Sequence, residues 1–243
     1  MTEPTLEPTR SRTTTLANHS PVKLVAVTQG AGELVNKNAQ DVISFITRVS
    51  NPNNQMNFET SPKLLAYCIK HGHWSPFEHA YMTLEIETTR GIAAQILRHR
   101  SFVFQEFSQR YAKAAEYEVC NARKQDMKNR QNSTDDLTVE ERTWFADAQE
   151  RIWDLSYGLY NQALEKGIAK ESARFLLPLN TKTRIYMTGN ARSWIHYVDL
   201  RSAHGTQKEH MDIAEGCRKH FCEQFPDIAR ALEWNPGEAS GAV

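Results

Sequence analysis

Tyr81-Met82-Thr83-Leu84-Glu85-Ile86-Glu87-Thr88-Thr89 alternates apolar and polar side chains, with Met82, Leu84 and Ile86 on one side and Thr83, Glu85 and Glu87 on the other. Side chains along a strand point to opposite faces in turn, so this segment reads as a half-buried strand of an antiparallel-type sheet. Immediately downstream, Gly91 to Leu97 has helical character and delivers the chain into Arg98-His99-Arg100. Upstream, Ser61-Pro62 supplies an N-cap and an N1 proline, Leu64, Leu65, Cys68 and Ile69 follow at helical spacing, and Gly72 is the stop. The β-branched run Val22 to Val27 reads as a buried strand, and Ile185 to Thr188 as another. Thr138-x-x-Glu141 is a capping box opening a long helix that ends at Gly167, with an apolar stripe of Phe145, Ala148, Ile152, Leu155 and Leu159. Gln207 to Phe225 carries Met211, Ala214, Phe221 and Phe225 on one side. Helices outnumber strands without βα alternation, which predicts an α+β fold: a single domain of mixed helices and an antiparallel-type sheet.

Composition narrows the function classes. The chain has 243 residues, 40% hydrophobic and 24% charged, enough for a real core. Lys plus Arg less Asp plus Glu is 29 − 29 = 0, which argues against a global polyelectrolyte surface for nucleic acid or membrane. No stretch approaches the roughly 18 apolar residues of a membrane span, and the N-terminal residues lack a secretory apolar region. Cys68, Cys120, Cys217 and Cys222 form no Cys-x-x-Cys pair, so neither a disulfide framework nor a cysteine zinc site is indicated. The chain therefore reads as a cytoplasmic protein of a reducing compartment. Residues 1–20, rich in Thr, Pro, Glu and Arg, read as a disordered leader, 21–235 as the folded domain and 236–243 as a flexible tail. Asn121 to Asp136 is almost wholly polar and reads as a surface excursion.

The densest chemistry lies in Arg98-His99-Arg100-Ser101-Phe102-Val103-Phe104-Gln105-Glu106-Phe107-Ser108-Gln109-Arg110-Tyr111. Arginine makes bidentate contacts to phosphate or a polarised carbonyl, histidine can donate to an anionic ring, and serine with backbone N–H groups can cradle a phosphate. On composition alone the string is a solvated basic strip flanked by core phenylalanines. Its order says more. Arg98-His99-Arg100, seven residues and Ser108 resemble the signature of the flavin-dependent thymidylate synthases. Around it, in order, stand His73-Trp74-Ser75-Pro76-Phe77-Glu78-His79, Gln95, Ala173-Arg174-Phe175-Leu176-Leu177-Pro178, Asn190-Ala191-Arg192-Ser193 with His196, then Arg201, Gln207 and Glu209. Each is similar to a family landmark, and the resemblance runs from about Val22 to about Phe225. Gln105 stands where many members have Asn, and the 121–136 excursion has no counterpart in the pattern.

The resemblance implies the thymidylate synthase-complementing fold, assembled as a homotetramer, and dTMP made from dUMP with methylene from 5,10-methylenetetrahydrofolate and electrons from NADPH through FAD. It implies no cysteine nucleophile, which suits Cys217 and Cys222 as small core residues. Carried over by position, Ser75, Arg98, His99, Arg100, Glu106, Asn190, Arg192 and His196 would hold FAD. Gln95, Arg98, Glu106, Phe107, Ser108, Gln109, Arg110, Arg174 and Arg201 would hold dUMP, with Arg201 the catalytic cation and His73 near the folate or nicotinamide side. On a helix from Asn190 to Arg201, Arg192 and His196 share a face while Arg201 lies on the opposite one. Sites shared between subunits are therefore expected, with small molecules rather than nucleic acid or membrane as partners. Three other readings stand beside this one. His71, His73, Glu78 and His79 could bind a metal, but they lack HExxH spacing and Pro76 breaks the helix, so no metal is expected. Phe102, Phe104 and Phe107 could stack single-stranded nucleic acid, against the neutral net charge. An RNA-uridine flavin methyltransferase would want a GxGxxG fingerprint, which does not occur.

Overall fold

β2 (Tyr81–Thr89) behaves as its alternation requires, with Met82, Leu84 and Ile86 fully buried and the intervening positions half-buried. The computed structural model describes residues 21–234, so the leader read over 1–20 and the tail read over 236–243 lie outside the described residues. In chain order the elements are β1 (Val22–Val27), α1 (Ala39–Thr47), α2 (Ser61–Lys70), β2, α3 (Arg90–Ile96), β3 (Val103–Glu106), the short β4 (Lys124–Gln125) and β5 (Ser133–Thr134), α4 (Val139–Glu165), α5 (Lys170–Ala173), β6 (Lys182–Asn190), α6 (Ala191–Ser202), α7 (Lys208–Gln224) and α8 (Pro226–Ala231). β1, β2, β6 and β3 form an antiparallel sheet in that spatial order.

Register builds the core. Met82 faces Gly189, Leu84 faces Met187 and Ile86 faces Ile185, so the apolar sides of β2 and β6 coincide. α3, α6 and α7 cover that face, their Ile92, Ile96, Trp194, Tyr197, Ile213 and Phe221 joining one cluster. The opposite face is polar and self-paired: Lys23 with Glu85 at 3.2 Å, Arg184 with Glu87 at 2.8 Å, and Tyr186 Oη donating to Glu85 at 2.6 Å. Cys217 and Cys222 are buried, as expected of small core residues. Among the described residues no helix is long and apolar enough to cross a membrane.

Three expectations need correction. β1 is not buried: it is an edge strand whose Leu24 and Val25 are 36% and 52% exposed, with a register shift between Leu24 and Ala26. An apolar run demands burial on average but does not say whether a strand lies at the centre or the edge. The N-cap of α2 is Thr60, with no side-chain cap bond, and Ser61 is a buried first-turn residue reached by Arg48. α4 does open on the Thr138–Glu141 capping box. Its predicted stripe, however, faces out: Phe145, Ile152, Leu155 and Leu159 are exposed, Leu155 at 66%. α4 instead buries Trp153, Tyr160 and Ala163, with Tyr160 and Ala163 packed against Ala173 and Leu177 in a cluster separate from the sheet core. The 121–136 excursion is a small self-stapled hairpin. Gln125 Nε2 lies 3.1–3.4 Å from the carbonyls of Asp126, Asn129, Arg130 and Asn132, which share its two N–H donors, and Asp126 accepts from the amides of Lys128 and Asn129.

Candidate active site

The Arg98–Arg100 turn is fixed by what it buries. α3 starts on a Thr89 cap and ends at Leu97, after which His99 N donates to Ile96 O at 3.1 Å and Phe102 N to His99 O at 3.3 Å. Phe102 drives the turn inward, its ring 4.8 Å from that of Trp194 and 5.9 Å from that of Tyr197. It sits so close to β6 that a Cβ on Gly189 would lie 2.4 Å from the ring. Ser193 Oγ donates to Ser101 O at 3.3 Å, tying α6 to the same turn. His99 follows Phe102 inside, while Arg98 and Arg100 point out. Among the described residues neither arginine makes an ion pair.

The inward histidine meets the far end of α6. Arg201 Nε donates to His99 Nε2 at 2.9 Å, joining residues 102 positions apart. A ring nitrogen that accepts carries no proton, so His99 is neutral with its proton on Nδ1. Its pKa is pushed down to about 4, by burial first and then by the Arg201 and His196 charges. Behind it lies a second buried histidine, His210, pushed down to about 3 by burial and the same cationic neighbourhood. His210 contacts Gln95 Oε1 and Tyr197 Oη, both at 3.2 Å, and Gln95 donates to Gln207 at 2.6 Å. Sequence reasoning missed His210 and Tyr197. A lone histidine and a lone tyrosine on amphipathic helices carry no signal distinguishing them from core residues.

The near end of α6 is different. Asn190 is its N-cap, accepting from Ser193 N at 2.9 Å. Arg192 pairs with Glu78 at 2.5 Å, Glu78 closing the 3₁₀ turn that Ser75 opens, and His196 lies exposed one turn further on. Arg192 and Arg201 are nine residues apart, about 14 Å along the axis at the α-helical rise. Glu106 is held internally by Arg90 and by Thr183 Oγ1 at 2.9 Å. Phe107 extends the β3 pairing by donating to Arg184 O at 2.8 Å, and Ser108 O receives the Ala112 amide at 2.9 Å. Next to it, Gln109 Nε2 is buried without a partner. Arg110 pairs with Glu171 at 3.0 Å, and Arg174 lies 5.6 Å over the Phe175 ring. The expected site residues thus fall into patches: the Arg201–His99–Gln95 end, the Arg192–Ser75 end, and the Ser108–Arg110 turn near Arg174.

These groups suit an anionic dinucleotide beside a nucleotide. Arg98 and Arg100 are uncommitted cations, His99 has an Nδ1–H with no acceptor among the described residues, and Gln109 holds an orphaned buried donor. Among the described residues no group of three His, Cys, Asp or Glu is placed to hold a metal ion. A cleft of about 530 Å³ adjoins the Gln95–Gln207 contact, between the hairpin, the start of α4 and Thr206–Gln207.

Residues 26–227 match the family described as thymidylate synthase complementing protein. The chain is 57% identical over 213 residues to a probable flavin-dependent thymidylate synthase of Paramecium bursaria Chlorella virus 1, covering 87% of this chain and 98% of that one. It is also 57% identical over 195 residues to the flavin-dependent thymidylate synthase of a Synechocystis strain, covering 80% and 90%. In fold it is similar to the UMP/dUMP methylase PolB of Streptomyces cacaoi solved with 5-Br dUMP: TM-score 0.76, 23% identity, 87% of this chain and 94% of that one.

Proposed function

The chain belongs to the family of flavin-dependent thymidylate synthases, and from that membership we propose that it converts dUMP to dTMP in de novo dTMP synthesis, with 5,10-methylenetetrahydrofolate as carbon donor, NADPH as reductant and FAD as resident flavin. The observation that carries this reading is the Arg201–His99 hydrogen bond, 2.9 Å, between a residue that the family pattern gives to the nucleotide and one that it gives to the flavin.

Each side chain then has a task. Bound flavin supplies the hydride chemistry that a methylene needs to become a methyl group. Arg98 and Arg100 meet the dinucleotide's negative charge, and the His99 Nδ1–H donates to it. Arg201 gives its Nε–H to His99, which leaves both terminal nitrogens for the uracil edge. A guanidinium already held in place stabilises negative charge developing on the ring without reorganising. Gln95 meets the nucleotide through its carboxamide, and Ser108, Gln109, Arg110 and Arg174 form the phosphate cradle, Gln109 with the donor that the protein leaves unpaired. Arg192, His196 and Ser75 hold flavin at the other end of α6.

Two observations support a homotetramer with shared sites. Arg192 and Arg201 project from opposite sides of α6, about 14 Å apart. The outward stripe of α4 repeats at three and four residues, the spacing of a helix seam that seeks a partner.

The test is an absorbance spectrum of the purified protein, followed by anaerobic NADPH with and without dUMP. The expected result is a flavin band near ~450 nm that NADPH bleaches with a response to dUMP, and folate-dependent tritium release from 5-labelled dUMP. No flavin band after incubation with FAD, or no release, would overturn the reading.

A further inference from the structure

The hydrogen-bonded side chains running from Glu209 through Gln207 and Gln95 to buried His210 have only one consistent arrangement of protons. Arg123 Nη2 lies 2.7 Å from each carboxylate oxygen of Glu209. Burial opposes charge on Glu209, but hydrogen bonds from Arg123, its own backbone amide, Gln207 and Cys120 hold its pKa below the usual value. A carboxylate only accepts, so the Gln207 atom 2.9 Å from Glu209 must be its amide nitrogen. That turns Gln207 Oε1 toward Gln95, which answers with its own Nε2–H at 2.6 Å. Gln95 Oε1 is therefore the atom facing His210 Nδ1 at 3.2 Å, and that nitrogen must hold the imidazole proton. His210 Nε2 is left to accept from the Tyr197 hydroxyl at 3.2 Å. Tyr197 keeps that proton, because burial raises its pKa well above the ordinary phenol value.

We propose that His210, oriented by Tyr197, is a positioning residue that sets the carboxamide of Gln95 for the nucleotide. This rests on the reading of Gln95 as a dUMP ligand. A primary amide offers two N–H donors and two oxygen lone pairs. Gln207 takes one donor and His210 one lone pair, leaving a single N–H beside a single lone pair. That pair matches a group that both gives and takes a hydrogen bond, as a ribose hydroxyl or the uracil imide edge does. Gln207 holds the nitrogen side of the amide, and His210 supplies the donor that holds its oxygen inward. His210 itself, fully buried, touches no substrate.

Side-chain stereochemistry supplies the test. Asn carries its amide nitrogen as many bonds from the backbone as His carries Nδ1, and Gln reaches as far as Nε2. His210→Asn keeps the donor to Gln95, whereas His210→Gln keeps only the Tyr197 side yet fills more of the cavity. Calorimetric titration of dUMP into the flavin-loaded protein is expected to show His210→Gln and His210→Phe weakened about tenfold, the cost of a misdirected buried hydrogen bond. His210→Asn should stay within about threefold of the parent, a fraction of such a bond. Flavin absorbance should be unchanged in all three. A merely space-filling histidine gives the opposite order, Gln better than Asn, and that order, or equal affinities, overturns the proposal. If His210→Phe fails to fold, the Asn and Gln pair decides. Gln95→Ala separates the two levels: if it weakens dUMP binding and the histidine variants do not, only this inference falls. If Gln95→Ala binds like the parent, or the parent binds no dUMP, the premise falls and the inference with it.

Discussion

The two ends of α6 are built on opposite principles. At the C-terminal end Arg201 donates to buried, neutral His99, whose ring packs against those of Tyr197 and His210, and His210 is hydrogen-bonded in turn to Tyr197 and to half-buried Gln95. At the N-terminal end Asn190 is spent on the helix cap and Arg192 on an exposed ion pair with Glu78. Buried networks hold a geometry because every alternative leaves a polar group unsatisfied, whereas an exposed pair is worth little and exchanges readily. In the proposed function the first end is preorganised for a reacting ring, and the second is free to trade its ion pair for a cofactor's charges.

The largest effects should separate the ends outright. Arg201→Ala is expected to retain flavin and lower kcat/KM for dUMP about a hundredfold, since it removes a charged hydrogen bond and strands His99. Arg192→Ala should instead purify colourless. Absorbance and steady-state kinetics check both, and the reverse pattern would invert the assignment of the two ends. Gly189→Ala should disturb both ends at once, because its Cβ would meet the Phe102 ring that seats the Arg98–Arg100 turn on Trp194. Overpacking of this kind costs about 1–3 kcal/mol, readable as a lower denaturant midpoint.

Acid should reach the C-terminal end first. His99 and His210 have native pKa values lowered to about 4 and about 3 from 6.5. Below pH 6.5 the unfolded chain therefore binds protons that the folded chain refuses, and stability falls as pH drops. Each histidine contributes about 1.4 kcal/mol per pH unit over its window, from 6.5 down to its native value. Thermal melts from pH 7 to 4.5 should show this slope, reduced by one histidine's share in His210→Asn. The smallest effect concerns Asn190. Its replacement by Ala removes a helix cap worth about 1 kcal/mol, and Asn190→Asp should restore stability. Flavin occupancy in the two variants then reports whether Asn190 also touches the cofactor.

Local signals were legible in the sequence, and long-range ones were not. The Tyr81–Thr89 alternation, the Thr138–Glu141 box and the stops at Gly72 and Gly167 each depend on neighbours within a few residues, and each stands in the structure. The stripe on α4 was equally clear in spacing, yet periodicity says that a face needs cover without saying which chain provides it. β1 met the same limit, since an apolar run does not announce an edge. β3 carries no separate strand signal, because its four residues lie inside the Arg98–Tyr111 string and are too few to show a period. The motif order located Arg201 and His99 but not their hydrogen bond, which needs the fold to bring together positions 102 apart. His210 had no signal at all, because its role lies in the direction of its ring nitrogens.

In the proposed assembly, one chain's Arg192 end serves a site completed by another chain's Arg201 end. Subunit mixing tests it most directly: Arg192→Ala and Arg201→Ala chains, each inactive alone, are co-expressed and the mixed assemblies isolated by two tags. Shared sites predict that about a quarter of the sites regain both arginines and turn over dUMP, the expectation for random closed assembly. Mixed assemblies, verified by native mass and no more active than either parent, would instead place both arginines in a site within one chain.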